Sequence, residues 1–187
     1  MNKFLTLTCF AILVGCASSS QITNYEGEGN LAATNPLTCI SATLVGPESS
    51  AADIAAGAKD CASQSKYNEA SELIMVASAY AFFDTQRVSD KTAHGALKAL
   101  FAKEFASLSE TERTELFTSI DALDNDKSRK AKLCSHLNTA SPPTYSPKYM
   151  IAHGMGEFTG SVKEPLIKNF NTADAWSKSM EFIKCNS

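Results

Sequence analysis

The sequence predicts a mainly α-helical protein, a small domain of about five to seven helices that is stabilised by two disulfides. Apolar residues recur at helical spacing in several segments, for example at Ile54, Ala58 and Cys61. No segment of useful length alternates apolar and polar side chains as a half-buried strand does. Hydrophobic residues make up 44% of the 187-residue chain, which argues against disorder and for a folded core.

The N-terminal residues have the pattern of an export signal. The apolar stretch at residues 4–14 is shorter than the about 20 residues of a transmembrane helix and fits the apolar region of a secretory signal. It ends in Leu13-Val14-Gly15-Cys16, which resembles the lipobox of bacterial lipoproteins. The resemblance implies that residues 1–15 are removed and that Cys16 is acylated and becomes the mature N-terminus.

The residue after the lipobox cysteine bears on localisation. In Gram-negative lipoproteins an Asp there retains the protein at the inner membrane, so Ala17 implies the outer membrane, facing the periplasm, with the lipid as the membrane anchor. The alternative is an ordinary secretory signal that is cleaved near Ala17. Residues 16–38 are then predicted to be a lipidated tether and extended arm, followed by a helical domain over residues 39–187.

Four cysteines remain once Cys9 is removed with the signal and Cys16 is lipidated. An even number in an exported chain predicts two disulfides, for which the sequence allows three pairings. We favour Cys39–Cys61, which would join the arm to the first helix, and Cys134–Cys185, which would tie the chain end to an earlier helix. A zinc site of four cysteines is the alternative, but the chain has no C-x₂-C pair, and no metal or cofactor is predicted.

The helices are assigned from apolar spacing and from N-terminal capping signals. Ser50 with Asp53, and Ser109 with Glu112, have the spacing of a capping box and begin the first and fourth helices. The second and third helices are predicted at about residues 67–83 and 90–107, the fourth ends near residue 123, and a short fifth covers about 128–136. A helical turn at residues 147–153 ends at Gly154, and the last helix begins near Thr172.

The stretch at residues 61–70, with Ala77 and Tyr80 after it, resembles the middle of a tetratricopeptide or Sel1-type repeat. The resemblance implies an αα-hairpin in which small and bulky side chains let two antiparallel helices pack closely. It covers one repeat, about residues 54–84, and does not recur, whereas a solenoid needs about three repeats. The alternative is an unrelated helix pair with small residues where the helices cross.

Several function classes find little support in the residues. A net charge of −3 leaves no strongly basic face for nucleic acid. Ser63 and Lys66 match Ser-x-x-Lys without the companion motifs of penicillin-binding enzymes, and residues 124–135 lack the Gly and Glu that an EF-hand loop needs. His94, His136 and His153 have no ligand spacing, so no catalytic residue is assigned.

The most unusual segment lies at residues 145–160, which contain aromatic residues, methionines and three glycines and have three prolines nearby. Loops of this kind carry binding groups on a rigid scaffold, or else form a packed cover over a helical core. The candidate binding residues are Tyr149, His153, Gly154, Met155, Gly156 and Phe158.

The sequence therefore predicts a non-catalytic lipoprotein domain that binds a protein or peptide partner in the periplasm. One alternative is an envelope hydrolase with a Ser/His site, and another is an immunity protein against a toxin that acts in the periplasm. A binding protein predicts an apolar groove. A hydrolase predicts a histidine that is hydrogen-bonded to a Ser, Asp or Glu in a pocket.

Overall fold

The computed structural model describes residues 27–185, and the predicted class, a small helical domain with two disulfides, is confirmed there. The residues predicted to form the signal peptide, the lipobox with Cys16 and the start of the tether lie outside the described residues. Eight α-helices follow one another: α1 Ala51–Ser63, α2 Tyr67–Arg87, α3 Ala96–Glu104, α4 Glu110–Asn125, α5 Lys127–Thr139, α6 Lys148–Ile151, α7 Met155–Thr159 and α8 Thr172–Phe182. The count within residues 27–185 exceeds the predicted five to seven because residues 155–159, for which no helix was predicted, form the short helix α7.

Helices α1 and α2 form the predicted αα-hairpin, and α2 is the central helix of the domain. Ser50 and Asp53 cap α1 reciprocally, with Asp53 N–H donating to Ser50 Oγ at 3.1 Å and Ser50 N–H donating to Asp53 Oδ2 at 2.9 Å. Ser65 turns the chain between the helices in the left-handed region, at φ +59°. Small buried residues along α1 let it lie close to α2, whose other sides pack against α3, α4 and α8.

Both predicted disulfides are confirmed. Cys39–Cys61 joins the arm to α1 with Cα atoms 4.6 Å apart, and Cys134–Cys185 joins α5 to the residues after α8 with Cα atoms 5.2 Å apart. They close loops of 22 and 51 residues. In the chain-entropy model such loops contribute about 3 and about 4 kcal/mol to the free energy of unfolding.

The described part of the arm lies against the helices. Leu31 is buried and its N–H donates to the carbonyl oxygen of Tyr149 at 3.1 Å, so the arm contacts the residues around α6. Further along, the N–H of Leu37 donates to the carbonyl oxygen of Asp53 at 3.1 Å. Residues 31–38, predicted as arm, are therefore fixed to the domain on which they lie.

Two predictions of local structure are wrong in detail. The single helix expected at residues 90–107 is α3 flanked by 3₁₀ turns at Lys91–Gly95 and Phe105–Ser107. Gly154 does not terminate a helix, because its φ of −77° is not left-handed and it is the N-cap of α7. The left-handed residue is Gly160, at φ +64°, which ends α7. The capping box at Ser109 is confirmed, and it begins α4 as predicted.

Candidate functional site

The tyrosines of the segment at residues 145–160 are held by a buried carboxylate on α2. Tyr145 and Tyr149 donate their hydroxyl hydrogens to Asp84 Oδ2 at 2.7 and 2.8 Å. The other oxygen, Oδ1, accepts from Arg87 Nε at 2.8 Å and lies 2.7 Å from Arg87 Nη2. Arg87 in turn stacks over the rings of Phe83 and Tyr145, at 5.1 and 4.9 Å from their centroids. Asp84 is fully buried, so these contacts replace the water that it loses.

The electrostatics of this cluster are dominated by burial. Loss of solvent raises the pKa of the Asp84 carboxyl, although Arg87 and the two tyrosine hydroxyls act in the opposite direction. Burial and the nearby Asp84 carboxylate raise the pKa of Tyr145 and Tyr149 well above 10. Tyr149, a candidate binding residue, is 2% exposed and fastens the segment to α2 instead of facing a ligand.

The glycines of the same segment allow close approach to Asp90. A Cβ on Gly154 would lie 2.5 Å from Asp90 Oδ2, and one on Gly156 would lie 2.6 Å from the same oxygen. The N–H of Gly156 donates to that oxygen at 2.7 Å, while Asp90 Oδ1 accepts from the hydroxyl of Thr92 at 2.6 Å. Both glycines are buried, so these two candidates serve the fold at this position.

The remaining candidates of the segment divide between the interior and the surface. His153 is half-buried, and its Nδ1 lies 2.9 Å from Asn30 Oδ1 on the arm. Met155 and Phe158 on α7 are 57% and 52% exposed. Of the six predicted residues, these two present large apolar side chains to the surface.

The histidines do not pair with acidic or hydroxyl groups in the hydrogen bonds that the structure shows. His94 Nε2 lies 3.0 Å from the carbonyl oxygen of Val88, and His153 contacts the Asn30 side chain. These partners orient the rings without making them general bases for a serine. His136 is half-buried on the last turns of α5. Among residues 27–185, no three His, Cys, Asp or Glu side chains form a group that could hold a metal ion.

An open apolar groove, of a volume of about 460 Å³, lies between α2, α4 and the end of α3. Its apolar lining comes from Ile74 on α2, from Ile120 and Phe117 on α4, and from Phe101 and Phe105, whose rings stack 5.9 Å apart. Phe117 is 61% exposed. A large aromatic side chain left in water beside a concave apolar surface is typical of a binding site.

The groove continues along α2 toward α8. A second cavity, of about 250 Å³, shares Ile74 and Ile120 with the first and is also lined by Phe182 and Ile183 near the end of α8. Phe182 is 45% exposed and stacks on Phe82, with ring centroids 4.3 Å apart. The first cavity is mostly apolar, whereas Ser71, Ser78, Asp124 and Lys184 add polar groups to the second. The two cavities adjoin at Ile74 and Ile120, and we name them together the α4 groove.

Helix α4, which lies along the α4 groove, has a negative net charge. Its one basic residue, Arg113, lines the groove, and its guanidinium donates to the carbonyl oxygen of Leu108. Asp121 follows Phe117 by four residues and therefore lies beside it on the helix surface. The acidic residues of α4 are Glu110, Glu112, Glu115, Asp121 and Asp124. A ligand with apolar side chains and a basic flank would match both the lining of the groove and the charge of α4.

Sequence reasoning missed the α4 groove. It placed Leu116, Ile120 and Leu123 on the inward face of α4 and gave no role to Phe117, the next residue along the chain from Leu116. The available signal was a phenylalanine outside the inward stripe of an otherwise polar helix. Its importance depends on Phe101 and Phe105, which only the tertiary fold brings opposite it.

No protein-family model, curated protein or solved structure matches this chain. Within residues 27–185, no helix has both the length and the apolar character to cross a bilayer.

Proposed function

We propose that this chain is an outer-membrane lipoprotein, anchored through acylated Cys16, whose periplasmic helical domain binds a protein partner without catalysis. The partner contributes an amphipathic helix that inserts its apolar side chains into the α4 groove and places basic residues against α4. The observation that carries the proposal is the α4 groove itself, with Phe117 61% exposed at its edge.

Three features support a helix as the occupant. The α4 groove lies between helices α2, α3 and α4, as the grooves of helix-in-groove recognition lie between helices. Its larger cavity is lined mainly by aliphatic and aromatic side chains, so apolar anchors at helical spacing can fill it. The acidic residues of α4 favour a positively charged flank and would speed association with it.

The test combines crosslinking with direct binding. A photo-crosslinking amino acid replaces Phe117 in intact cells, and the matched control replaces Leu44, which is 72% exposed and lies outside the groove. We expect position 117 to crosslink one protein, through a segment whose sequence has the pattern of an amphipathic helix with basic residues. Position 44 should not crosslink this protein.

The crosslinked segment is then synthesised and its affinity for the purified protein is measured by calorimetry. Phe117→Ser should weaken binding at least about tenfold, because aromatic anchors contribute about 2 kcal/mol or more at such sites. Leu44→Ser should leave the affinity unchanged. Equal affinities for wild type and Phe117→Ser, or crosslinks only through an acidic or extended polar segment, would overturn the proposal.

A further inference from the structure

The described chain begins beside helices α6 and α7. A Cβ on Gly27 would lie 3.1 Å from the carbonyl oxygen of Ala152, just after α6. Three residues later, Asn30 contacts the His153 ring, and the N–H of Leu31 donates to Tyr149. The first described residue, Gly27, therefore lies at the junction between α6 and α7.

Helix α7 presents apolar side chains close to Gly27, where the described chain begins. Met155 and Phe158 are 57% and 52% exposed, and Met155 lies three residues beyond Ala152. The backbone that carries them is fixed, since Gly156 N–H donates to Asp90 and the N–H of Met155 donates to the Thr92 hydroxyl at 2.9 Å. The exposure of these two side chains is thus built into the fold and is not the result of a frayed turn.

The covalent distance to the proposed anchor is short. Gly27 lies eleven positions after Cys16 (27 minus 16), and eleven steps of a fully extended chain span at most about 36–40 Å. Helix α7 is therefore held near the bilayer whenever Cys16 is in it, at a high effective concentration. A weak apolar contact between α7 and the bilayer can then form, because the lipid anchor already supplies the affinity for the membrane.

We propose that α7 is a membrane-contact face, in which Met155 and Phe158 enter the interfacial layer of the bilayer that holds the lipid on Cys16. This inference rests on the proposed lipid anchor. A protein partner fits less well, because two exposed side chains fall far short of the about 800 Å² per partner of a specific interface. An interfacial contact requires only that a few apolar side chains enter the layer beneath the headgroups.

The experiment uses methionine oxidation as a measure of water access. The mature lipidated chain with Phe117→Met is reconstituted into phosphatidylethanolamine vesicles that contain phosphatidylglycerol, and chloramine-T is added as a water-soluble oxidant. Mass spectrometry follows sulfoxide formation at Met155 and, as the matched control, at the methionine introduced at position 117. The reference is the mature chain with Cys16→Ser, which carries no lipid, mixed with the same vesicles.

We expect the vesicle-bound lipidated chain to oxidise severalfold more slowly at Met155 than the Cys16→Ser chain, with no change at position 117. Phe158→Glu should restore the fast oxidation of Met155 while the chain still floats with the vesicles. Equal oxidation of Met155 in the lipidated and Cys16→Ser chains overturns the inference, and so does equal protection at positions 155 and 117. Protection of Met155 in cells but not in vesicles would assign α7 to a protein partner and overturn the lipid assignment.

Flotation separates this inference from the anchor on which it rests. A purified mature chain that carries no lipid on Cys16 and does not float with vesicles contradicts the proposed anchor. A chain that floats but is oxidised freely at Met155 contradicts only the role of α7.

Discussion

The tyrosine-rich segment at residues 145–160 and the α4 groove both gather aromatic side chains, and they use them in opposite ways. Tyr145 and Tyr149 turn inward, where the buried Asp84 carboxylate accepts both hydroxyl hydrogens. Phe117 turns outward and stays 61% exposed beside an apolar cavity. The two tyrosines of the unusual segment thus serve packing, while Phe117, on a helix of ordinary composition, stays at the surface.

The largest difference between the two regions should be in stability, and Asp84→Ala tests it. The substitution leaves Arg87 and two buried hydroxyls without their partner, so we expect a loss of about 3–5 kcal/mol in the free energy of unfolding. Chemical denaturation with both disulfides intact measures it. The control is Glu164→Ala, which removes a carboxylate from an exposed pair with Lys168 and should cost less than about 1 kcal/mol. Similar losses for the two variants would show that the buried cluster does not stabilise the segment.

A smaller loss is expected from Gly156→Ala. Its new Cβ would meet Asp90 Oδ2 at 2.6 Å and crowd Val162, so α7 must shift, at a cost of about 1–3 kcal/mol. The matched control is Gly95→Ala, since Gly95 has helical φ and ψ and its Cβ would make only an ordinary contact with His153. That variant should be neutral or more stable by up to about 1 kcal/mol. Thermal unfolding compares the stability of the two variants. If Gly156→Ala is as stable as wild type, the close contact between residue 156 and Asp90 does not contribute to stability.

The N-cap of α4 should contribute less to the free energy of unfolding than the features above, and its contribution should depend on pH. Ser109→Ala removes the N-cap of α4 and should cost about 1 kcal/mol at pH 7. Hydrogen bonds from Ser109 lower the pKa of Glu112 below its usual 4.5. A lowered carboxyl pKa stabilises the folded state above 4.5, and this contribution disappears as the pH falls through the folded-state pKa. The difference in unfolding free energy between wild type and Ser109→Ala should therefore narrow below pH 4.5, whereas a pH-independent difference would contradict the role of Glu112.

The smallest effect on stability is expected in the α4 groove. Phe117→Ser removes a side chain that is mostly in water, so the free energy of unfolding should change by less than about 0.5 kcal/mol. Thermal unfolding measures this change, which is compared with the loss of partner affinity that is proposed above for the same variant. A loss of several kcal/mol would show that Phe117 is part of the core and would remove the contrast between the two regions.

The features that the sequence predicted well depend on residues close together in the chain or on the number of cysteines. The capping boxes at Ser50 and Ser109 require side chains three residues apart, and the structure has both. The sequence missed features that join distant residues. Asp84 and Tyr149 are 65 positions apart, and the sequence around neither residue indicates that they form a hydrogen bond. Gly154 was misassigned for the same reason, because its small size serves a contact with Asp90 that local spacing cannot reveal.

By itself the sequence determined the helical class, the helix starts at capping boxes and the number of disulfides, because helix periodicity and capping are encoded over short windows and disulfides follow from counting cysteines. It left three pairings open, and the structure shows the favoured one. The sequence also carries the lipobox at Cys16, from which the anchor is proposed. Only the tertiary structure decided which aromatic side chains are buried and which stay in water. That choice depends on what packs opposite each of them: a carboxylate from α2 opposite Tyr149, and an open apolar cavity beside Phe117.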